Sequence, residues 1–94
     1  MGRGKLTSKV QEKAKECLGR EISLRELRLM PYIQFVMMNE QKIEREKINK
    51  EEQDILSAWR LDYWIEGGLH DLRITKNFWD AINEICFIAY VDLT

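Results

Sequence analysis

The segment from residue 59 to residue 75 reads WRLDYWIEGGLHDLRIT and contains the turn on which the fold depends. A helical pattern ends near Glu66, two glycines follow, and Leu72-Arg73-Ile74-Thr75 alternates apolar and polar residues as a strand does. Thr75 is also a residue type that begins helices. The segment therefore predicts a short β-hairpin between two helices.

Capping signals predict two helices in the first thirty residues. Ser8 with Gln11 has the spacing of a capping box and predicts a first helix, which ends near Gly19. Ser23 with Glu26 repeats the pattern and predicts the start of a second helix. Because each start is marked by a side chain that accepts a backbone hydrogen bond, both boundaries follow from local chemistry.

The middle of the chain changes from apolar to charged residues. Pro31 predicts a break or a new helix start, because proline lacks the backbone N–H that a helix interior needs. The stretch 32–38 is apolar nearly all round, which predicts a central helix that is contacted on several sides. The stretch 40–50 is rich in charge and predicts an exposed segment, anchored only by Ile43 and Ile48.

Two further helices are predicted around the hairpin. Asn49 with Glu52 forms a capping box for the third helix. Its inner face is expected to consist of Ile55, Leu56, Trp59 and Tyr63. The last helix begins at either Thr75 or Asn77, and Gly67-Gly68 either stops the preceding helix or forms the turn.

Length and composition predict a single intracellular domain over residues 1–94, with residues 1–6 disordered. The 94 residues are 45% hydrophobic and 33% charged, which is typical of a globular chain. With the helix and hairpin signals, this predicts a mainly α (α+β) fold of four to five helices with one short, wing-like hairpin before the C-terminal helix. No signal peptide or membrane-spanning run is present, and Cys17 and Cys86 form no disulfide framework. We therefore expect a cytoplasmic protein without membrane contact.

The N-terminal third is basic, with eight Lys or Arg against four Glu in residues 1–30. Such a surface could meet phosphates or an acidic partner. The candidate contacts to nucleic acid or to an acidic partner are Lys5, Lys9, Lys13, Arg20, Arg25, Arg28 and Arg73. The alternative is a solvated helix face, because Glu12 with Lys15 and Glu16 with Arg20 have the spacing of ion pairs within a helix.

The sequence contains no pattern typical of an active site. His70 is the one histidine in the chain, so a histidine-based metal site is not expected. Cys86 lies among apolar residues, where burial suppresses the thiolate that a nucleophile needs. Gly67-Gly68 lacks the Lys-Ser/Thr that completes a phosphate loop. We therefore predict no catalytic residue, no metal and no cofactor.

The C-terminal half resembles winged helix-turn-helix regulators. The resemblance rests on the order of a helix, the hairpin strands Ile65-Glu66-Gly67-Gly68 and Leu72-Arg73-Ile74-Thr75, and a closing helix. It implies that the helix Lys50–Asp62 would enter the DNA major groove and that the hairpin would form the wing. A DNA-binding transcriptional regulator is therefore the alternative function.

The charge of the helix that would contact DNA favours a protein-interaction module over a DNA-binding protein. The helix Lys50–Asp62 carries two basic against four acidic residues, whereas DNA affinity depends on neutralising phosphates. The run Ile85–Val91 is apolar around the whole helix, so either the N-terminal helices enclose it or it associates with a protein partner, most simply a second copy in a homodimer. The candidate interaction face comprises Trp64, Phe87 and Tyr90. By analogy with small accessory proteins of mobile genetic elements, we expect a regulatory, non-enzymatic role.

Overall fold

The computed structural model describes residues 5–68 and 70–91. In chain order the elements are α1 (Ser8–Leu18), α2 (Leu24–Met38), a 3-10 turn (Arg45–Lys47), α3 (Lys50–Leu61), β1 (Ile65–Glu66), β2 (Arg73–Ile74), α4 (Lys76–Cys86) and a π-helical turn (Phe87–Val91). This order confirms the predicted mainly α fold with a hairpin before the last helix. The predicted disorder falls mostly on residues 1–4, which lie outside the described ranges, whereas Leu6 packs half-buried against the core.

The first helix begins with a different cap from the predicted one. Thr7 is the N-cap, and its hydroxyl accepts a hydrogen bond from the backbone N–H of Val10. The predicted Ser8–Gln11 capping box is wrong, because the amide of Gln11 bonds instead to both backbone groups of Ile22, at 2.8 and 2.9 Å. Gln11 therefore ties α1 to the segment that leads into α2.

The second helix has the predicted start but continues through the proline. Ser23 and Glu26 form the reciprocal capping box. The predicted break at Pro31 is wrong, since α2 runs without interruption to Met38. A proline inside a helix costs about 3 kcal/mol, but Met30 and Ile33 on either side of it are fully buried. Their burial favours a continuous helix by a comparable amount.

The third helix ends in a Schellman motif at Tyr63. The N–H of Trp64 donates to the carbonyl of Trp59, and the N–H of Tyr63 donates to that of Arg60. Tyr63 has a φ of +62° and is 81% exposed, so its predicted place on the inner face of α3 is wrong. The left-handed backbone of Tyr63 turns the chain out of the helix and into β1. The prediction is confirmed for the capping box at Asn49 and for the burial of Leu56 and Trp59.

The predicted hairpin is present, and the charged segment before α3 packs against it. Ile65 pairs with Ile74 and Glu66 with Arg73 in antiparallel register. The N–H of Leu72 donates to the carbonyl of Gln41, which attaches the 39–49 segment to the hairpin. In that segment Ile43 and Ile48 are buried among exposed charged residues, as predicted.

Gly67 makes the turn of the hairpin possible, and its substitution should weaken the fold. Its φ is +80°, and a Cβ at this position would overlap the carbonyl oxygen of Asp71. We expect Gly67→Ala to lower the free energy of unfolding by about 1–3 kcal/mol. Gly68→Ala is the matched control, because a Cβ there would meet nothing within 4 Å. Urea denaturation of both variants measures the difference, and equal stabilities would contradict this role for Gly67.

The last helix lies at the centre of the fold. Thr75, one of the two predicted caps, accepts the hydrogen bond from the N–H of Phe78. Phe78 packs edge-on against Trp59 and stacked on Trp64, with ring centroids 5.0 and 5.1 Å apart. α1 and α2 both pack against α4, so its apolar side forms the core. None of the helices in the described part of the chain is long and apolar enough to cross a membrane.

Candidate functional site

Arg20, a predicted phosphate contact, belongs to a partly buried cluster. Its guanidinium donates two hydrogen bonds to the carboxylate of Glu26, at 2.8 and 3.2 Å, and lies 5.0 Å from the ring of Trp64. The backbone N–H of Ser23 and the indole N–H of Trp59 each donate to the same carboxylate at 2.9 Å. The charge of Arg20 is therefore matched within the fold.

The electrostatics of this cluster favour both charged forms. Burial by itself would raise the pKa of Glu26, but hydrogen bonds from Arg20, Ser23 and Trp59 outweigh it and lower the pKa. The hydrogen bond to Glu26 raises the pKa of Arg20. Because Glu26 is buried and fully bonded, it serves the structure rather than a ligand.

The other candidate basic residues are dispersed, and some are paired with carboxylates. Lys13 lies 3.5 Å from Glu16, and Arg25 forms an ion pair with Glu51 of α3. Of the rest, Lys5 precedes α1, Lys9 lies on α1, Arg28 lies on α2 and Arg73 lies on β2. The seven candidates thus belong to five parts of the fold, namely the segment before α1, α1 itself, the loop between α1 and α2, α2 and β2.

The three aromatic candidates are divided between two places. Trp64 is half-buried between the ring of Phe78 and the guanidinium of Arg20. Phe87 comes nine residues after Phe78, about 13 Å further along the helix. Tyr90 is half-buried and lines a groove beside Phe87. Phe87 and Tyr90 therefore share a surface, and Trp64 packs at the base of the hairpin.

Two grooves adjoin Phe87, which is 55% exposed. A groove of about 340 Å³ lies on one side of it, between α2 and the π-helical turn. A second groove of about 350 Å³ lies on the other side, towards α1. The first groove is lined by Pro31, Gln34, Asn83, Cys86, Phe87, Tyr90 and Val91, none of which carries a charge.

An apolar surface extends along α2. Phe35 and Met38 follow Pro31 by four and seven residues, so they lie on the same helix face, and they are 60% and 75% exposed. We call this surface the Phe87 patch, and define it as Pro31, Phe35, Met38, Phe87, Tyr90 and Val91. The prediction that residues 32–38 are contacted on several sides is wrong at Phe35 and Met38, which stay exposed although α2 packs against both α3 and α4.

Sequence reasoning missed Phe35, Met38 and Val91 as surface residues. Leu24, Pro31, Phe35 and Met38 recur at spacings of seven, four and three, which marks an apolar stripe on α2. That signal was present in the sequence. A second apolar stripe, formed by Leu29, Ile33 and Val36, follows the opposite face and is the buried one. With two stripes on one helix, the pattern alone does not identify the exposed stripe.

The cysteines have the properties of packing residues. Burial raises the pKa of the Cys86 thiol to about 12, so almost no thiolate forms near neutral pH. Burial also raises the pKa of Cys17, as does its hydrogen bond to Glu84, in which Sγ donates at 3.4 Å. Both thiols are free. Within residues 5–68 and 70–91, no three His, Cys, Asp or Glu side chains are grouped to hold a metal ion.

Comparisons with protein-family models, with curated proteins and with solved structures find no match to this chain. The winged-helix resemblance therefore stays a prediction, which rests on the order of α3, the hairpin and α4.

Proposed function

We propose that this chain is a small, non-enzymatic regulatory module that acts by binding protein through the Phe87 patch. The observation that carries the proposal is the exposure of Phe35, Met38, Phe87 and Val91 beside an uncharged groove. Exposed apolar side chains gathered at one place, rather than scattered, are typical of protein–protein contacts. Burying them against a partner would release their hydration and stabilise the complex.

A second copy of this chain is the partner that fits the patch. An isologous interface needs a projecting side chain and a groove on the same surface, since each copy inserts into the other. Phe87 projects between two grooves, and one of them has no charged residue in its lining. A symmetric contact through this uncharged groove would place apolar groups against apolar groups without burying an unpaired charge, whereas the other groove is lined in part by Lys13 and Glu84.

The proposal predicts that the protein dimerises and that Phe87→Ser disrupts the dimer. We expect sedimentation equilibrium to show a dimer for the unmodified protein and a dissociation constant raised more than about ten-fold in the variant. Circular dichroism of the variant should stay unchanged, because Phe87 is outside the core.

Leu61→Ser is the matched control for this experiment. Leu61 is also a large exposed apolar residue, but it lies at the end of α3 and outside the patch. The control should dimerise like the unmodified protein. A monomer at every concentration, or equal weakening by Phe87→Ser and Leu61→Ser, would contradict self-association through the patch.

DNA binding is the second candidate, and the hairpin between α3 and α4 supports it. Arg73 lies exposed on β2, where a wing would meet a phosphate. Against it, Glu51 and Asp54 of α3 are exposed and pair with Arg25 and Lys50, which leaves that face without net positive charge. Duplex binding that weakens steeply as salt rises is the property that distinguishes this candidate from the first.

We place the proposed activity in the cytoplasm. The support is chemical: Cys17 and Cys86 are both free thiols, and a reducing compartment keeps thiols in that state. The accessory role in a mobile genetic element remains an analogy of size and character.

A further inference from the structure

A polar pocket of about 170 Å³ lies between the 3-10 turn and α3, away from the Phe87 patch. Arg45 reaches it from the 3-10 turn, and α3 contributes four residues: Gln53, Leu56, Ser57 and Arg60. Gln53, Ser57 and Arg60 are four and three residues apart, so they lie on one face of the helix. Two arginines from different elements thus line one small pocket, and its lining includes no carboxylate.

The donors in this pocket have few partners in the protein. Arg60 donates from Nε to the carbonyl of Gly67 at 2.9 Å, which fixes the guanidinium plane and leaves its two terminal nitrogens available. The side chains of Arg45, Gln53 and Ser57 make no hydrogen bond or ion pair within residues 5–68 and 70–91. In contrast, Lys13, Arg20, Arg25, Lys47, Lys50 and Lys76 each have a carboxylate partner.

We infer that this pocket binds a phosphoryl group. The two forked guanidinium groups offer paired N–H donors to oxygen atoms, as they do in arginine–phosphate contacts. The amide of Gln53 and the hydroxyl of Ser57 add two more donors, and the three oxygen atoms of a phosphoryl group can accept from more donors than the two of a carboxylate. An anion would also relieve the repulsion between the two arginines. This site is independent of the proposed protein-binding function.

The test is a titration of the ¹⁵N-labelled protein with inorganic phosphate, at constant ionic strength maintained with sodium chloride. We expect saturable amide shifts confined to residues 45–47 and 53–60, together with a shift of the Arg60 Nε resonance. Arg45→Gln should weaken binding about ten-fold, because it removes one charged donor. The Arg45 side chain is exposed and makes no hydrogen bond or ion pair within the described residues, so the variant should remain folded.

Arg28→Gln is the matched control, since Arg28 is an exposed arginine of α2 that does not line the pocket. It should leave the phosphate affinity unchanged. Arg60→Gln should weaken binding as Arg45→Gln does, and its amide spectrum reports whether the loss of the Gly67 contact disturbs the fold. Shifts that grow linearly without saturation, or an equal effect of Arg28→Gln and Arg45→Gln, would overturn the proposal.

A second arm of the experiment identifies the source of the phosphoryl group. A mixed-sequence DNA duplex that shifts the same signals, and that fails to do so in Arg45→Gln, would assign the pocket to a nucleic-acid backbone. If inorganic phosphate and glycerol 3-phosphate shift these signals and the duplex does not, the ligand is a small phosphorylated molecule. Either result supports the proposal that this pocket binds a phosphoryl group, and neither result depends on whether the protein dimerises.

Discussion

Replacing Glu26 with alanine is expected to lower the free energy of unfolding by about 2–4 kcal/mol, the combined cost of a buried donor left unsatisfied and of a lost helix cap. The variant leaves Arg20 and the indole N–H of Trp59 without their acceptor. It also removes one half of the capping box that begins α2. Urea denaturation followed by circular dichroism measures the change.

Glu12→Ala is the control for this effect, because Glu12 is an exposed carboxylate on α1. Its replacement should change the stability by less than about 0.5 kcal/mol. If Glu26→Ala lost no more stability than Glu12→Ala, the buried cluster would not hold α2 to α3. Such a result would also make Arg20 available again as a contact for a ligand.

The same carboxylate should make the stability depend on pH. The pKa of Glu26 is lower in the folded protein than in the unfolded chain, where a glutamate has a pKa of about 4.3. Its contribution is therefore complete above that value and is lost as the pH falls through the folded pKa. Stability curves between pH 7 and pH 3 should show an acid loss that is reduced in Glu26→Gln, which carries no charge at any pH.

Phe78→Ala is expected to cost about 3–5 kcal/mol, because it removes the ring that joins Trp59 to Trp64. Phe78 is 1% exposed, so the variant leaves a cavity at the centre of the core. The cavity lies where α3, the hairpin and α4 meet, and packing around it gives these elements their relative positions.

Phe87→Ala is the matched control, since it makes the same change on an exposed phenylalanine after the same helix. We expect a loss below about 1 kcal/mol. Measuring both variants at two protein concentrations separates folding from association, because only association depends on concentration. Equal losses in Phe78→Ala and Phe87→Ala at low concentration would contradict the assignment of one ring to the core and the other to the surface.

The hairpin and most helix starts were predictable because they depend on neighbouring residues. Ser23 and Asn49 each form a capping box with a glutamate three residues on, and a side chain reaches a backbone group at that distance in any fold. The strands around Gly67 were marked by alternation and by a residue that tolerates a positive φ.

Predictions failed where a distant contact overrode a local rule. Pro31 should stop a helix, yet burial of the residues on either side keeps α2 intact. Gln11 is available for a capping box but bonds to Ile22 in another segment. Tyr63 continues the apolar pattern of α3, but its left-handed backbone turns the side chain outward. None of these outcomes can be read from the adjacent sequence.

For the candidate sites too, features within one segment were predictable and contacts between segments were not. The sequence identified Phe87 and Tyr90 in an apolar run, but it did not identify the exposed stripe of α2 that joins them. It placed Arg20 with the phosphate contacts, although Glu26 binds it, and it gave no signal that Arg45 and Arg60 meet in one pocket. Charge and periodicity are properties of single segments, whereas these groupings depend on how segments pack.

The sequence by itself therefore determined the order of helices and strands, the capping boxes at Ser23 and Asn49 and the turn of the hairpin, because these depend on short-range hydrogen bonds and backbone sterics. Only the tertiary structure decided which apolar stripes form the core and which side chains meet across elements. The physical reason is that burial stabilises an apolar side chain only where a neighbouring element covers it: Phe78 of α4 is covered, whereas Phe87, in the π-helical turn after α4, is exposed.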